Sequence, residues 1–409
     1  MTNVHREGVV RTLFLVQVKP YPLSGGVSLR NWQNINILAQ RGPVSIFSLF
    51  KGEADLTLWP LDADWQHYDL SAPFRSIQEK VQRRLWQLRT TGNIRADWLY
   101  TQAAERQLRD WINQFKPTLI IAEEIWLHRY LPVLQQANCH LILDNHNVEG
   151  DGERYEDVSD MSPKILAKIR RIEKRFSQAV DQVWMCSRQD VKMFHQLYPT
   201  VKTQTYVVPN GVDPNYYAAV RSQTVPATLS PNPYTLIYLG RFSYQPNAEA
   251  ASILLNHIYP TLKKVKPTCR LLLVGCDPTE EMLKAAQADP HVIVTGPVPD
   301  VLPYLASATV MAVPLQKGSG TRLKLLEAFA AKCPVVSTNK GAEGLQVEDN
   351  VHLLLRDSST AIVEAILDLW QQPLTAQTMV NCAYQRCLDR YAWSAVGQQI
   401  HDSLTQLLR

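Results

Sequence analysis

The fold is decided by residues 309–330, which read TVMAVPLQKGSGTRLKLLEAFA. The apolar run from Thr309 to Val313 is typical of a buried strand. After a polar turn, apolar side chains recur at helical spacing at Leu323, Leu326 and Phe329. A strand followed by a turn and a helix is the repeating unit of parallel α/β proteins.

The turn between this strand and this helix contains two glycines, Gly318 and Gly320, which free the backbone. Ser319 or Thr321 is expected to cap the helix that follows. A helix N-terminus after a glycine-rich turn presents free N–H groups and the positive end of a dipole. The stretch therefore predicts a phosphate site, and an ordinary surface turn is the alternative.

Charged side chains occupy the first turns of the same helix. Arg322 and Lys324 would oppose the helix dipole, and a bound anion between them would remove that conflict. Glu327 follows one turn after Lys324 on the same side. A carboxylate at that place can accept hydrogen bonds from sugar hydroxyls.

Apolar runs alternate with helical patterns along the whole chain, as in parallel α/β layers. The predicted strands are Leu13–Val18, Val44–Leu49, Leu119–Ala122, His140–Leu143, Gln182–Cys186, Tyr206–Val208, Leu236–Leu239, Arg270–Val274, Val292–Val294, Val310–Val313, Val335–Ser337 and His352–Leu355. The pattern predicts an α/β protein with two doubly wound sheets in tandem. No G-x-G-x-x-G follows any strand, which argues against a plain NAD-binding protein.

The break between the two sheets is expected after Asn210–Asp213, because Pro214–Pro233 has the composition of a linker. A final amphipathic helix is predicted from Trp393 to Leu408. The predicted domains are residues 1–209, joined by the helix 393–409, and residues 210–392.

The bulk composition is that of an ordinary globular protein, with 409 residues, 45% hydrophobic, 20% charged and a net charge of +4. This mild charge gives no reason to expect a nucleic-acid partner. No apolar run approaches the roughly 20 residues of a membrane span. The first eleven residues do not read as a signal peptide, and the seven cysteines show no metal-site spacing. A cytoplasmic location with free thiols is expected.

Seven segments in this order resemble the retaining, nucleotide-sugar-dependent glycosyltransferases of the GT-B fold, in particular family 4. They are Ser24-Gly25-Gly26, Val208-Pro209-Asn210-Gly211-Val212-Asp213, Leu239-Gly240-Arg241, Leu273-Val274-Gly275, Gly318 to Ala330, Pro334-Val335-Val336-Ser337-Thr338 and Tyr391-Ala392-Trp393. The resemblance implies two Rossmann-like domains facing a cleft, with the nucleotide-sugar donor on the C-terminal one and the acceptor on the N-terminal one. It also implies a final helix that returns to the first domain, and no need for a metal.

The resemblance assigns roles to residues of the C-terminal half. Arg241 corresponds to an arginine that contacts the diphosphate, and Glu327 to a glutamate that holds the ribose hydroxyls. The loop Gly318–Arg322 and Lys324 would contact the donor as well. Two departures stand out. No lysine follows Arg241 within a few residues, and Ser319 stands where the family's first glutamate is usual. The donor sugar must therefore be held differently, and Arg322 or Lys324 would supply the missing cation.

In the N-terminal half, the resemblance implies that the turn with Gly25 and Gly26 lets the backbone approach the donor phosphates or the acceptor. His146 follows a strand end and is a candidate for contacting the acceptor or the donor sugar, with a loop histidine as the alternative. Glu123 and Glu124 follow another strand, and adjacent carboxylates are expected to point in different directions. Glu124 is the candidate for orienting the acceptor or acting as its base, with a solvated loop acid as the alternative. The catalytic candidates are thus His146, Glu124, Arg241 and Lys324.

Two basic stretches, Arg75–Arg109 and Lys164–Arg175, interleave cations with apolar residues. Such helices can lie on anionic membrane surfaces, although solvated helix faces have the same composition. A membrane-bound protein would suggest a lipid-linked acceptor at the inner face of the membrane. The leading function is transfer of a sugar to a glycan or lipid-linked acceptor. The alternatives are a catalytically silent GT-B scaffold and a sugar-nucleotide epimerase.

Overall fold

The computed structural model describes residues 9–23, 25–54, 59–71, 95–152, 162–222, 229, 231–318, 320 and 322–408. The chain divides into two compact units. Unit 1 comprises residues 1–208 and 397–409, and unit 2 comprises residues 209–396. The sequence had put this boundary after residue 209 and had assigned the last helix to the first domain from residue 393.

Unit 1 contains a parallel sheet of seven strands in the order β3-β2-β1-β4-β5-β6-β7. The strands are β1 Thr12–Val16, β2 Val44–Phe50, β3 Asp64–Asp69, β4 Leu119–Glu123, β5 His140–Asn145, β6 Gln182–Met185 and β7 Gln204–Val207. Because the strand order reverses between β1 and β4, a topological switch point lies at their carboxyl ends.

The described helices of unit 1 cover a sheet whose inner strands are buried throughout, as two-sided coverage requires. They are α1 Gly26–Ala39, α2 Arg95–Leu99, α3 Gln102–Phe115, α4 Leu131–Gln135, α5 Pro163–Ser177 and α6 Arg188–Leu197. Short 3-10 turns lie at Ile125–Tyr130 and Glu149–Asp151. Side-chain oxygens of Thr101, Ser162 and Ser187 cap three of these helices.

Unit 2 contains a second parallel sheet, of six strands in the order β10-β9-β8-β11-β12-β13. The strands are β8 Thr235–Leu239, β9 Arg270–Val274, β10 Val292–Val294, β11 Val310–Val313, β12 Val335–Ser337 and β13 Leu354–Leu355. Here the order reverses between β8 and β11, which places the switch point of unit 2 at the carboxyl ends of those two strands.

Nine further α-helices complete the described part of the chain. They are α7 Pro214–Ala218, α8 Gln245–Ile253, α9 Tyr259–Val265, α10 Glu280–Ala288, α11 Leu302–Ser307, α12 Leu323–Ala330, α13 Ser359–Gln371, α14 Pro373–Arg390 and α15 Trp393–Leu407. A π-helical segment, Leu254–Ile258, joins α8 to α9. Short 3-10 turns lie at Ala219–Ser222 and Lys340–Ala342.

The predicted α/β class and the two parallel sheets are confirmed, and every predicted strand is present within a few residues. Strand β3, with the sequence DWQHYD, was not predicted. It forms an edge of the sheet and buries only Trp65 fully, so no apolar run marks it.

The expected linker from Pro214 to Pro233 is partly a folded element, and that prediction was wrong for its first nine residues. The Asp213 side chain accepts a hydrogen bond from the Asn215 N–H, and Pro214 occupies the first turn of α7. Tyr217 and Val220 are buried in the core of unit 2. A cap and two buried side chains therefore give this segment a fixed structure in spite of its composition.

The predicted C-terminal helix is confirmed as α15. Its residues from Gly397 onward belong to unit 1, where Ile400 and Leu404 are fully buried and Gln182 donates a hydrogen bond to the Ser403 carbonyl (2.9 Å). All seven cysteines are free thiols. None of the described helices has both the length and the hydropathy needed to cross a bilayer.

Candidate functional site

The switch point of unit 2 brings together two segments that the sequence had singled out. β8 ends at Leu239, directly before Gly240 and Arg241, and β11 ends at Val313 before the glycine-rich loop. Open parallel sheets bind ligands outside the carboxyl ends of the strands at such a point. The topology of unit 2 thus places the proposed phosphate-binding residues where this class of sheet holds its ligand.

The loop after β11 depends on its glycines. Gly318 and Gly320 have φ values of 100° and 88°, in the left-handed region that favours glycine. Ser319 and Thr321 lie outside the described residues. The expected cap is corrected, because α12 begins at Leu323 and its N-cap residue is Arg322, without a side-chain cap hydrogen bond.

Arg322 is buried, with 5% of its surface exposed, and its guanidinium donates hydrogen bonds to nearby backbone carbonyls. Its Nη2 donates to the carbonyl of Gly318 (2.7 Å) and to that of Lys340 (3.3 Å), and lies 3.9 Å from the Glu343 carboxylate. Burial lowers the pKa of Arg322. These contacts offset much of the unfavourable interaction between the Arg322 charge and the positive end of the helix dipole. A bound anion is therefore not required to explain why an arginine occupies this position.

Lys324 is held by neutral groups instead. Its Nζ donates to the Asn247 Oδ1 (2.9 Å) and lies 3.9 Å from the centre of the Tyr238 ring. Burial and the neighbouring Arg322 lower its pKa well below 10.5. An amide oxygen orients an ammonium without cancelling its charge, so Lys324 is the better suited of the two cations to meet an anionic ligand.

Glu327 lies one turn further along α12 and contacts an element outside the motif. Tyr217 of α7 donates a hydrogen bond to the Glu327 Oε1 (3.0 Å). Burial raises the pKa of Glu327, while this hydrogen bond and Lys324 act in the opposite direction. Tyr217 was not predicted, because its segment had been interpreted as a linker.

Arg241 presents an accessible guanidinium at the end of β8. Its side chain is 58% exposed, and Nη1 is 4.0 Å from the Asp277 Oδ2, so this ion pair is a weak one. The backbone carbonyl of Arg241 accepts a hydrogen bond from the Asn247 Nδ2 (2.8 Å). Arg241 and Lys324 are therefore joined through a single residue, Asn247.

The switch point of unit 1 carries the other candidates. Gly25 is the N-cap of α1, and Ser28 closes the turn by accepting from the Gly25 N–H (3.0 Å). No described atom lies within 4 Å of a Cβ built on Gly25, and its φ of 160° is open to other residues. Gly26 begins the helix, and Ser24 is outside the described residues. Neither space nor backbone conformation therefore requires glycine at Gly25.

The expectation that the carboxylates of Glu123 and Glu124 point in different directions was wrong. Glu124 has left the strand, with φ 56° and ψ 161°, a conformation that is rare for any residue but glycine. As a result both carboxylates meet Gln17. Its backbone N–H donates to the Glu123 Oε2 (2.8 Å), and its side-chain amide donates to the Glu124 Oε2. Burial raises the pKa of Glu123 to about 7.

His146 lies directly after β5 and is 6% exposed. Its Nδ1 is 3.5 Å from the Glu124 Oε1, and its Nε2 is 3.7 Å from the Asp144 Oδ2. Burial alone would lower the pKa of His146, but the two carboxylates outweigh it and raise the pKa above 6.5. The structure thus brings His146 and Glu124 together in unit 1, which the sequence had proposed only as separate candidates.

A buried ion pair supports this histidine. The Arg30 Nε lies 3.1 Å from each carboxylate oxygen of Asp144, and the Arg30 Nη1 donates to the Val208 carbonyl (2.7 Å). Asn34 donates to the Asp144 Oδ2 (3.1 Å). Burial disfavours both charges, yet their mutual attraction outweighs it. The pKa of Arg30 is raised, and that of Asp144 is lowered well below its usual range.

The loop that follows β5 is fixed by a second buried acid, Glu173 of α5. It accepts hydrogen bonds from the Asn145 side chain (2.8 Å), from the backbone N–H groups of Glu149 (3.0 Å) and Gly150 (2.8 Å), and from the Tyr198 hydroxyl (2.7 Å). His146 therefore stands on a loop that is anchored at both ends.

Arg30, Gln17, Asn247, Tyr217 and Glu173 were not predicted as site residues. One of them had left a signal in the sequence. Arg30 and Asn34 are four residues apart on α1, on the face that buries Ile35 and Leu38. Polar side chains at buried helical positions imply a buried partner.

One group of described side chains is spaced closely enough to hold a cation. The ligand atoms of Glu123, Glu124 and His146 lie within 4.8 Å of one another, and all three residues are buried. Hydrogen bonds from Gln17 already use one oxygen of each carboxylate. In unit 2 the candidate anion site offers the cations Arg241 and Lys324 at the start of α12, with the carboxylate of Glu327 one turn further along.

Two family models match the sequence. The model described as "Glycosyl transferases group 1" matches residues 233–372, and the one described as "Glycosyltransferase Family 4" matches residues 70–216. A comparison with curated proteins finds no match. The matched regions fall in the two halves of the chain. The N-terminal one contains Glu124 and His146, and the C-terminal one contains Arg241, Lys324 and Glu327, whereas Gly25 and Gly26 precede both.

Solved structures share the fold over nearly the whole chain. Sucrose-phosphate synthase from Thermosynechococcus elongatus is 20% identical with a TM-score of 0.70, covering 97% of this chain and 99% of that one. HepE from Anabaena, solved with UDP, is 17% identical with a TM-score of 0.71, covering 97% and 100%. The pneumococcal O-GlcNAc transferase GtfA, solved with UDP and GlcNAc, is 10% identical with a TM-score of 0.65, covering 98% and 99%. The solved structures and the two Rossmann-like units show the GT-B fold, and because the two family models match both halves of the sequence, the chain is a glycosyltransferase of the group 1, family 4-like type.

Proposed function

We propose that the protein transfers a sugar from a nucleoside-diphosphate sugar to a glycan or lipid-linked acceptor, with retention of the anomeric configuration. Unit 2 would bind the donor and unit 1 the acceptor. The observation that carries the proposal is the switch point of unit 2, where Lys324, Glu327 and a glycine-rich helix start meet the exposed Arg241. Cations and helix N–H groups suit a diphosphate, and a carboxylate one turn away suits ribose hydroxyls.

UDP is the first nucleotide to consider for the donor. HepE was solved with UDP and with UDP-glucose, and GtfA with UDP and GlcNAc. These proteins share the fold with this chain, and the nucleotide panel described below measures the base and the sugar that it uses.

The chemistry proposed is front-face attack by an acceptor hydroxyl as the bond between sugar and diphosphate breaks. Arg241, Lys324 and the N–H groups of the Gly318–Arg322 loop would stabilise the charge that develops on the leaving diphosphate, without a metal. His146, held beside Glu124, would contact the reacting sugar or the acceptor hydroxyl, and Glu124 would orient the acceptor or take its proton. The open position of Gly25 would let the backbone approach a substrate.

A thermal-shift panel of UDP-, GDP-, ADP- and TDP-sugars tests the donor site. Saturating ligand at one hundred times its Kd stabilises a protein by roughly 2.7 kcal/mol. For a unit of this size that is about 5–10 °C in the midpoint. One nucleotide should shift the wild type, and Glu327→Ala should lose most of the shift because a hydrogen bond to a charged group contributes about 1.5–3 kcal/mol.

Glu364→Ala is the matched control, because Glu364 is an exposed glutamate on α13 of the same unit. It should keep the full shift. If no sugar nucleotide shifts the wild type, the transferase proposal gives way to a silent scaffold. Once a donor is found, proton NMR of the product decides between retention and inversion, and turnover that needs a separate acceptor excludes an epimerase.

We further propose peripheral association with the inner face of an anionic membrane, which would suit a lipid-linked acceptor. Residues 75–94 of the first basic stretch lie outside the described residues. In α5, Lys168 is bonded to Asp97 (3.2 Å) and Arg170 to the Gly150 carbonyl (2.7 Å). Lys164, Arg171 and Arg175 are exposed.

The protein is therefore expected to sediment with phosphatidylglycerol-containing vesicles at 50 mM salt and to be released at about 500 mM, since each surface cation contributes about 1 kcal/mol and salt screens it. Reversal of Lys164, Arg171 and Arg175 to glutamate should abolish sedimentation. Reversal of the exposed Lys284 of α10 should not. Failure of the wild type to sediment at low salt would refute the membrane proposal.

A further inference from the structure

Asn247, the third residue of α8, connects the two cations proposed to meet the diphosphate. Its Oδ1 accepts hydrogen bonds from the Lys324 Nζ (2.9 Å) and from the Tyr238 hydroxyl (2.8 Å). Its Nδ2 donates to the backbone carbonyl of Arg241 (2.8 Å). Two donors on one side and an acceptor on the other fix the orientation of the amide.

The contacts of Asn247 join three different elements of the switch point. Tyr238 belongs to β8, Arg241 begins the turn after β8, and Lys324 is in the first turn of α12 after β11. Arg241 and Lys324 are 83 residues apart in sequence, yet one side chain bonds to both. A change at Asn247 therefore reaches both sides of the anion site.

The position of Lys324 compensates for the lysine that the family usually has shortly after the arginine corresponding to Arg241 and that this sequence lacks. Residues 242–246 read FSYQP and contain no lysine. The ammonium of Lys324 is instead brought to Asn247, which directly follows this segment. A lysine from a different helix thus supplies a positive charge at the start of α8.

The partner of Lys324 is chemically suited to this task. Lys324 is half-buried, and its Nζ lies 3.9 Å from the centre of the Tyr238 ring. An aspartate at position 247 would form an ion pair and neutralise the ammonium, whereas a neutral amide orients it and leaves its charge available. The Tyr238 hydroxyl occupies the remaining lone pair of Oδ1 and keeps the amide from turning.

We propose that Asn247 is a positioning residue of the donor site, which holds Lys324 and the Arg241 turn in the arrangement that binds the diphosphate. The inference rests on the proposed function, because it assumes that a nucleoside diphosphate binds at this switch point. It goes beyond that function by assigning a role to a residue that need not touch the substrate. The role makes a specific prediction, namely that the effects of Asn247 and Lys324 on diphosphate affinity depend on each other.

The experiment is a double-mutant cycle measured by calorimetric titration with UDP, GDP, ADP and inorganic pyrophosphate. Lys324→Ala is expected to lower the affinity for the tightest-binding of these ligands about 30-fold or more. Asn247→Ala is expected to lower it about 10-fold. The double variant should lose clearly less affinity than the product of the two single losses, because part of the effect of Asn247 acts through Lys324. Asn247→Asp should bind the diphosphate ligand more weakly than Asn247→Ala at pH 8, because the new carboxylate neutralises Lys324. Its thermal midpoint should nevertheless be at or above that of Asn247→Ala, because the ion pair with Lys324 stabilises the fold.

Asn256→Ala is the matched control, since Asn256 is an exposed asparagine of the π-helical segment whose bonds go to Ser252 and Glu281. It should bind like the wild type. Additive losses in the cycle, or wild-type affinity in Asn247→Ala when Lys324→Ala is impaired, would overturn the role of Asn247 and leave the donor site intact. Absence of binding by all four ligands to the wild type would overturn the donor site and this inference together.

Discussion

Replacing Asp144 with alanine is expected to lower the free energy of unfolding of unit 1 by about 3–5 kcal/mol, the usual cost of removing one member of a buried ion pair. Arg30 is 1% exposed, and the carboxylate of Asp144 meets its Nε through both oxygens. Without Asp144 the guanidinium would keep only the Val208 carbonyl among the partners described above. Urea titration followed by hydrogen-exchange mass spectrometry reads the peptides of the two units separately.

Two further variants separate the buried charge from other causes. Asp110→Ala removes an exposed carboxylate from α3 and should change the stability of unit 1 by less than about 0.5 kcal/mol. Arg30→Met combined with Asp144→Ala should be more stable than Asp144→Ala alone, because the buried charge that Asp144 compensates is removed as well. A loss below about 1 kcal/mol in Asp144→Ala would show that water or another group compensates Arg30.

Replacing His146 with alanine is expected to lower kcat at least 10²-fold, the lower end of what a positioned acid–base group contributes. The affinity for the donor nucleotide should stay within about twofold, because the proposed nucleotide contacts are in unit 2. His146 lies between Asp144 and Glu124 at the switch point of unit 1, with little exposed surface. Steady-state kinetics with the donor found in the thermal-shift panel measure kcat, and calorimetry measures the nucleotide affinity.

His401→Ala is the control for this substitution, because His401 is an exposed histidine on α15. It should leave kcat unchanged. Full turnover by His146→Ala would remove this histidine from the mechanism. A parallel fall in thermal midpoint and kcat would instead indicate a structural role, since the imidazole neighbours the buried pair of Arg30 and Asp144.

The parallel core of both units could be predicted from sequence because its strands are buried on both faces and read as apolar runs. β9 and β11 were predicted with their bounds, and each is almost wholly buried. β3 was not predicted, because an edge strand with one buried side chain contains no apolar run. The folded segment at the start of the predicted linker was not recognised for a related reason. Its stability comes from the packing of Tyr217 and Val220 against residues that are distant in sequence.

For the candidate site, the sequence indicated the charged groups but not what holds them. The motif after β11 pointed to Lys324 and Glu327, but their partners Asn247 and Tyr217 are 77 and 110 residues away. Periodicity and local motifs carry no information on such contacts. The convergence of Glu123 and Glu124 was missed for a local reason, since strand alternation does not apply to a residue with a positive φ.

The path of α15 makes unit 1 discontinuous in the chain. Residues 397–409 complete unit 1, and the buried Ile400 and Leu404 belong to them, but all of unit 2 precedes them in order of synthesis. A ribosome that adds about 5–20 residues per second needs roughly 10–40 s to make the intervening 209–396. During that interval the nascent unit 1 exposes the apolar surface that α15 later covers, so unit 2 finishes emerging before its N-terminal neighbour can reach its final structure.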